Sequence, residues 1–216
     1  MDNEILVRIL VQLPILMFSV IVHECAHGWA AERCGDDTAR VMGRITLNPL
    51  PHIDIMGTII LPILFVLTSP FVFGYAKPVP VNPYRFNHPR RDTLLVSISG
   101  PASNILLAII CALSLKIIII MPWLQVDLKM ISVQLLSFAV LVNLFLAILN
   151  LIPIPPLDGS GIVSSLLPAD LAYTYEKIRP YGFVILVVLL FSGVIGMIIM
   201  PVLRFFTSFL LGGSLG

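Results

Sequence analysis

Residues 10–27 read LVQLPILMFSVIVHECAH, an apolar run that leads directly into two histidines and a glutamate. About 20 apolar residues in a helix are enough to cross the roughly 30 Å hydrocarbon core of a bilayer. The run therefore predicts a membrane helix over residues 5–22 that extends through the His23-Glu24-His27 triplet. Ionisable side chains at membrane depth are costly and usually have a function or a defined partner, so this helix carries the first candidate site.

The composition of the chain agrees with a lipid environment. Of its 216 residues, 58% are hydrophobic and 12% are charged, whereas soluble domains have about a quarter of their residues charged. The net charge is only +1 and the basic residues sit in short loops, which argues against a nucleic-acid partner. The three cysteines lack C-x-x-C spacing, so neither a disulfide framework nor a cysteine zinc site is expected.

Hydropathy predicts an all-α polytopic membrane protein with a single domain over residues 1–216 and no internal repeat. Four segments are expected to form membrane helices, namely residues 5–22, 94–120, 131–152 and 182–203. A fifth block, 55–73, either spans the membrane or re-enters it, because it is long enough for one crossing but carries Pro62 and Pro70. The proline-rich stretch 77–91 predicts extended, β-like loops.

His23-Glu24-Cys25-Ala26-His27 is an H-E-x-x-H motif, whose chemistry depends on helical spacing. Residues four apart lie on one helix face, so two imidazoles can bind one Zn²⁺ while the glutamate stands near the open coordination position. Such a glutamate can take a proton from a zinc-bound water and return it to the leaving amine. The alternative is that these polar residues merely mark the interfacial end of a membrane helix.

A catalytic zinc usually has a third protein ligand, and the sequence offers three candidates. His52 lies in a polar loop and His88 in a basic one. Asp158 follows the membrane helix 131–152, after three prolines that end the helix and before Gly159, which permits a tight turn.

Three motifs together resemble the site-2 protease family of intramembrane zinc metalloproteases, in its short form without a PDZ domain. They are the H-E-x-x-H motif, Gly100-Pro101 with Asn104, and Asn150 eight residues before Asp158-Gly159. The resemblance implies that His23, His27 and Asp158 bind zinc, that Glu24 is the catalytic base and that Asn150 lies near the scissile peptide. One departure is Ser160, where many members have a second glycine.

The three asparagines of the membrane helices receive different interpretations. Asn150 is interpreted as functional because Pro153 frees backbone groups beside the proposed site. Asn143 and Asn104 are interpreted as packing residues, since amides often join membrane helices. Small side chains recur every four residues along the helix 94–120, which predicts a close helix contact through Gly100, Asn104, Ala108 and Ala112.

The proposed metal site constrains the topology. If His27 and Asp158 bind one ion, the helices that end near them finish on the same side of the membrane. The chain then crosses the membrane an even number of times between His27 and Leu94. Residues 55–73 are too short for two crossings, so a re-entrant or shallow hairpin bent near Pro62 is expected.

Loop charge provides a second criterion for the same topology. Four basic residues fall on the far side, namely Arg8, Lys116, Lys129 and Arg204. Nine fall on the active-site side, namely Arg33, Arg40, Arg44, Lys77, Arg85, Arg90, Arg91, Lys177 and Arg179. Basic residues favour the cytoplasm, so the site is expected near the cytoplasmic face of a bacterial or archaeal cell membrane.

The resemblance implies regulated cleavage of another protein's transmembrane segment, with Zn²⁺ as cofactor, and the basic loops are expected to contact membrane lipid. The main alternative is a metal-ion transporter or metal-binding membrane protein that uses the same residues as an ion site. Glu24 argues against it, because a pure ion site needs no base beside its ligands. A catalytically silent scaffold would not be expected to keep an intact motif.

Overall fold

The structure, a computed structural model, describes residues 2–54, 57, 60 and 77–212. Its helices are α1 (Asp2–Arg33), α2 (Thr38–Val41), α3 (Pro89–Ile120), α4 (Val126–Asn150), α5 (Asp158–Leu166), α6 (Ala169–Glu176), α7 (Gly182–Phe191) and α8 (Val194–Leu211). Short 3₁₀ turns occur at Leu50–His52, Pro83–Arg85 and Arg179–Tyr181. No β-strand occurs in these ranges, which confirms the all-α class.

Four of the described helices are long and apolar enough to cross a membrane, namely Leu10–Arg33, Pro89–Ile120, Val126–Asn150 and Val194–Leu211. The first three confirm the helices predicted at residues 5–22, 94–120 and 131–152. Because the apolar runs of these helices are long, composition alone is enough to predict them.

The prediction of one helix over residues 182–203 was wrong. The segment forms two helices, α7 and α8, separated at Gly193, which has a φ of 79°. Glycine adopts this left-handed conformation without steric cost, and it commonly ends helices there. The 10 residues of α7 extend about 15 Å at 1.5 Å per residue, too little to cross the hydrocarbon core.

The proline-rich stretch 77–91 is also less extended than predicted. Pro83–Arg85 forms a 3₁₀ turn in which the side chain of Asn82 accepts a hydrogen bond from the Tyr84 amide. Pro89 begins α3, where its missing N–H costs nothing because the first helical amides have no intrahelical partner. No β-strand occurs among residues 77–91, so the loop is not β-like as predicted.

The helices pack around a seam of small residues on α3. Gly100, Asn104, Ala108 and Ala112 are all buried, as the four-residue spacing predicts. Their small side chains let neighbouring helices approach closely. Beside them, a core cluster joins α3, α4 and α8 through Ala108, Ala112, Val140, Leu144, Ile195, Ile199 and Leu203.

Apart from residues 57 and 60, the predicted re-entrant or spanning segment 55–73 lies outside the described residues. The residues that flank it meet, since the Lys77 amide donates to the His52 carbonyl at 2.9 Å. The even number of crossings between His27 and Leu94 stays a prediction.

Candidate metal centre

Helix α1 places the two motif histidines on one face, one turn apart. Their Nε2 atoms are 3.0 Å from each other and their rings meet edge to face, with centroids 4.6 Å apart. Both side chains are buried. The spacing of four residues in a continuous helix produces this convergence.

Asp158 completes the cluster from the first turn of α5. Its Oδ2 lies 3.1 Å from His23 Nε2 and its Oδ1 lies 3.2 Å from His27 Nε2. Of the three candidate third ligands, it is the one that the structure brings to the histidine pair. His52 is fully buried elsewhere, with its Nε2 against the Thr46 carbonyl, and His88 precedes α3 as its N-cap.

The donor set fits a zinc ion. The ligand atoms of the three residues lie within 4.8 Å of one another, and this is the one such group in the described part of the chain. Apart from its 3.1 Å contact with His23 Nε2, Asp158 Oδ2 is buried without a hydrogen-bond partner, an arrangement that a cation bound between the two atoms would satisfy. Two imidazole nitrogens and one carboxylate oxygen match the ligands of catalytic zinc sites that keep one position open.

Gly100 explains why α3 approaches the histidines so closely. A Cβ at this position would lie 2.4 Å from His27 Nε2 and 2.6 Å from His23 Nε2. Only a residue without a side chain fits there, since real contacts of Cβ with other heavy atoms are essentially never shorter than 3.0 Å. The Gly100-Pro101 motif is therefore part of the site's wall.

Gly159 has a different role from the one predicted. The turn beside Asp158 does not use a left-handed glycine, because Gly159 is not among the residues with positive φ. A Cβ there would lie 2.4 Å from the carbonyl oxygens of Leu151 and Ile152. Gly159 thus lets α5 begin directly against the end of α4, which positions the neighbouring carboxylate.

Ser160, the departure from the family pattern, fits its place. It is buried, and its hydroxyl donates to the Leu157 carbonyl at 2.7 Å. The requirement for glycine falls one residue later: a Cβ on Gly161 would lie 2.2 Å from Ser97 Oγ. Helix α5 therefore packs on α3 through Gly161.

The second ring nitrogen of each motif histidine, Nδ1, also has a hydrogen-bonding partner. His27 Nδ1 is 2.8 Å from the Val96 carbonyl, and His23 Nδ1 is 2.6 Å from Asn104 Oδ1. The prediction that Asn104 serves only in packing was therefore incomplete. Its position on the buried stripe of α3 was visible in the sequence, whereas its contact with His23, 81 residues away, depends on the tertiary fold.

Glu24 is held by a loop, in a contact that was not predicted from the sequence. Its Oε2 accepts a hydrogen bond from the Val79 amide at 2.7 Å. Arg44, itself buried, anchors this loop by donating to the carbonyls of Lys77 at 2.7 Å and Pro78 at 3.1 Å. The segment over the motif is thus fixed by backbone contacts rather than by a sheet.

Asp36 anchors the same loop at its far end. Its buried carboxylate accepts from the Asn82 amide at 2.6 Å and from the amide and hydroxyl of Thr38. Burial opposes ionisation, but these hydrogen bonds outweigh it and hold the pKa of Asp36 below its ordinary value. The anchor therefore stays ionised at neutral pH.

Asn150 is the last residue of α4. Its amide donates to the Leu146 carbonyl at 2.9 Å, and its side chain is partly exposed. The helix to which it belongs leads into the loop that presents Asp158.

Comparison with known proteins agrees with this geometry. The family model for peptidase family M50 matches residues 12–193. The chain is 35% identical over 202 residues to YwhC of Bacillus subtilis, a protein described as a predicted zinc metalloprotease. That match covers 89% of this chain and 87% of YwhC.

Two mycobacterial proteins, both named Rip2 and described in the same way, are also similar. The chain is 31% identical to the protein of Mycolicibacterium smegmatis and 28% identical to that of Mycobacterium tuberculosis. These matches cover 82% and 80% of this chain, but only 64% and 63% of the relatives. No solved structure matches the chain significantly. The family match and the helices of membrane-spanning length together show that the chain belongs to peptidase family M50, the site-2 protease family, and is a zinc metalloprotease of the membrane.

Proposed function

We propose that the protein is an intramembrane endopeptidase that hydrolyses a peptide bond within or near the transmembrane segment of another membrane protein. The observation that carries this proposal is the depth of the histidine pair. His23 and His27 lie inside the candidate span Leu10–Arg33, roughly 15 and 9 Å from its C-terminal end at 1.5 Å per residue. A peptide bond must enter the span to reach them.

His23, His27 and Asp158 are proposed to hold the metal. Bound there, zinc supplies Lewis acidity and lowers the pKa of a coordinated water. The chain supplies three converging ligands, of which the two histidines are buried and are oriented by the contacts of their Nδ1 atoms.

Glu24 is proposed as the general base and then the general acid. One of its carboxylate oxygens is held by the Val79 amide, which leaves the other oxygen to accept a proton and return it to the leaving amine. The fixed loop thereby limits the orientations of Glu24 before substrate arrives.

Asn150 is proposed to bind the substrate backbone or the developing oxyanion, as the family resemblance implies. Its place at the end of α4 is consistent with this role. The substrate helix must unwind locally before attack, because its peptide groups are otherwise enclosed in hydrogen bonds within the bilayer.

The active site is proposed to face the cytoplasm. On the predicted topology nine basic residues fall on the active-site side and four on the far side, or three once Arg204 is assigned to the candidate span Val194–Leu211. The positive-inside rule favours a cytoplasmic site for this distribution. The position of the ligands near one end of α1 gives water a short path from that side. The ion-transporter alternative has no support from the comparisons, all of which are with peptidases.

The proposed function is tested by mapping the cut. The protein, reconstituted in lipid vesicles with zinc, is incubated with single-span membrane proteins tagged at both ends, and the fragments are sequenced by mass spectrometry. We expect cleavage inside or at the edge of the apolar segment, lost in Asp158→Ala. Fragments that map only to parts of the substrates outside the membrane would contradict the proposal.

A further inference from the structure

A chain of buried side-chain hydrogen bonds runs from His23 into the contact between α1, α3 and α4. It comprises Ser19, Asn104 and Asn143, which are 1%, 0% and 2% exposed. Asn104 Nδ2 lies 2.9 Å from Asn143 Oδ1 and 3.2 Å from the Ser19 carbonyl. Asn143 Nδ2 lies 2.9 Å from both Ser19 Oγ and the Ala139 carbonyl.

The donors and acceptors of these hydrogen bonds can be assigned by starting at the Ala139 carbonyl, at the opposite end of the chain of hydrogen bonds from His23. The Ala139 carbonyl can only accept, so the Asn143 atom facing it must be the amide nitrogen. Ser19 gives its one hydroxyl proton to the Ile15 carbonyl at 2.9 Å, and therefore accepts from that same nitrogen. Asn143 consequently presents its oxygen to Asn104.

The same reasoning fixes Asn104. Its nitrogen donates to two acceptors, Asn143 Oδ1 and the Ser19 carbonyl, which use both of its protons. Its oxygen must then face His23 Nδ1, and an amide oxygen at 2.6 Å requires a proton on that nitrogen. Neutral His23 is left with its lone pair on Nε2, the atom directed at Asp158 and His27.

We propose that Asn104 and Asn143 are positioning residues that set the tautomer of His23 and thereby its affinity for zinc. The two histidines differ in the group that accepts from Nδ1. His27 is held by the backbone carbonyl of Val96, which no substitution removes, whereas His23 depends on an amide side chain whose orientation is set by Asn143 and Ser19. This inference rests on the proposed role of His23 as a ligand.

The test compares Asn104→Leu with Asn104→Asp in the purified full-length protein. Leucine has a similar size but no acceptor, so zinc should bind about 10–100-fold more weakly, as measured by chelator competition. Aspartate keeps an oxygen for His23 Nδ1–H, as in the common carboxylate–histidine–zinc arrangement. When its second oxygen is protonated, it also donates to Asn143 Oδ1 in place of the amide, so this variant should bind zinc more tightly than the leucine variant. Asn143→Leu should give a smaller loss, because it acts only through Asn104.

A control and a second readout separate positioning from packing. Ser103→Ala removes a hydroxyl on the same helix that donates to the Gly100 carbonyl and should leave zinc affinity unchanged. In metal-free protein, ¹⁵N spectra of labelled histidine should show His23 protonated at Nδ1 in the wild type and in Asn104→Asp, and as a mixture of tautomers in Asn104→Leu, which leaves His23 Nδ1 without its acceptor.

Equal zinc affinity in the leucine and aspartate variants, or an Nε2-protonated His23 in the metal-free wild type, would overturn the proposal. Failure of the proposed function is distinguishable, because a wild-type protein that binds no zinc would refute the ligand assignment while the metal-free spectra still report the tautomer.

Discussion

Glu24→Gln should retain its zinc and lose proteolysis by about 10²–10⁴-fold, the usual contribution of a general acid–base group. Glutamine keeps the size of the side chain, and its amide oxygen can still accept from the Val79 N–H that holds Glu24 Oε2. It cannot take a proton from water at neutral pH. Metal content and the cleavage rate of a membrane substrate, measured on the same preparation, check this expectation.

The matched control for Glu24→Gln is Glu32→Gln on the same helix. Glu32 pairs with Arg40 at the surface and lies away from the cluster of ligands, so the change should leave the cleavage rate unaltered. Undiminished cleavage by Glu24→Gln would contradict the role of Glu24 as base.

Gly100→Ala should disrupt the metal centre although it is a small change. Alanine is favoured over glycine in a helix by about 1 kcal/mol, so propensity alone predicts a more stable protein. The new methyl would instead lie 2.4 Å from His27 Nε2 and displace a ligand. Overpacking costs about 1–3 kcal/mol, which corresponds to a loss of roughly 5–150-fold in zinc affinity if the cost falls on the bound state.

Gly196→Ala is the control for Gly100→Ala, because it makes the same substitution in α8 where nothing lies within 4 Å of the added methyl. It should keep the zinc affinity of the wild type. A Gly100→Ala protein that binds zinc as tightly as Gly196→Ala would show that α3 does not pack against the histidines as described.

The membrane helices and the metal motif were predictable because their signals are local. The H-E-x-x-H spacing places His23 and His27 on one face whatever surrounds them. The break at Gly193 was harder to predict, since a glycine within an apolar run is often tolerated in a membrane helix. Nothing in the sequence indicates that this glycine adopts a positive φ.

The contacts that orient the site were not predictable, because they join residues distant in sequence. Glu24 meets the Val79 amide across 55 residues, and a backbone donor leaves no trace in residue type. Asn104 was visible as a buried polar residue on a stripe of small ones, which equally describes a packing amide. Whether Asn104 only packs or also positions His23 depended on which nitrogen of the His23 ring lies opposite the Asn104 side chain.

The most direct measurement of the central claim is zinc X-ray absorption spectroscopy on the purified protein. Ligation by His23, His27 and Asp158 predicts a first shell of nitrogen and oxygen at about 2.0–2.2 Å, containing two imidazoles. Asp158→Ala should lose the ion or replace the carboxylate oxygen with water. A sulfur shell near 2.3 Å, or a wild-type spectrum that is unchanged in His27→Ala, would contradict this metal centre.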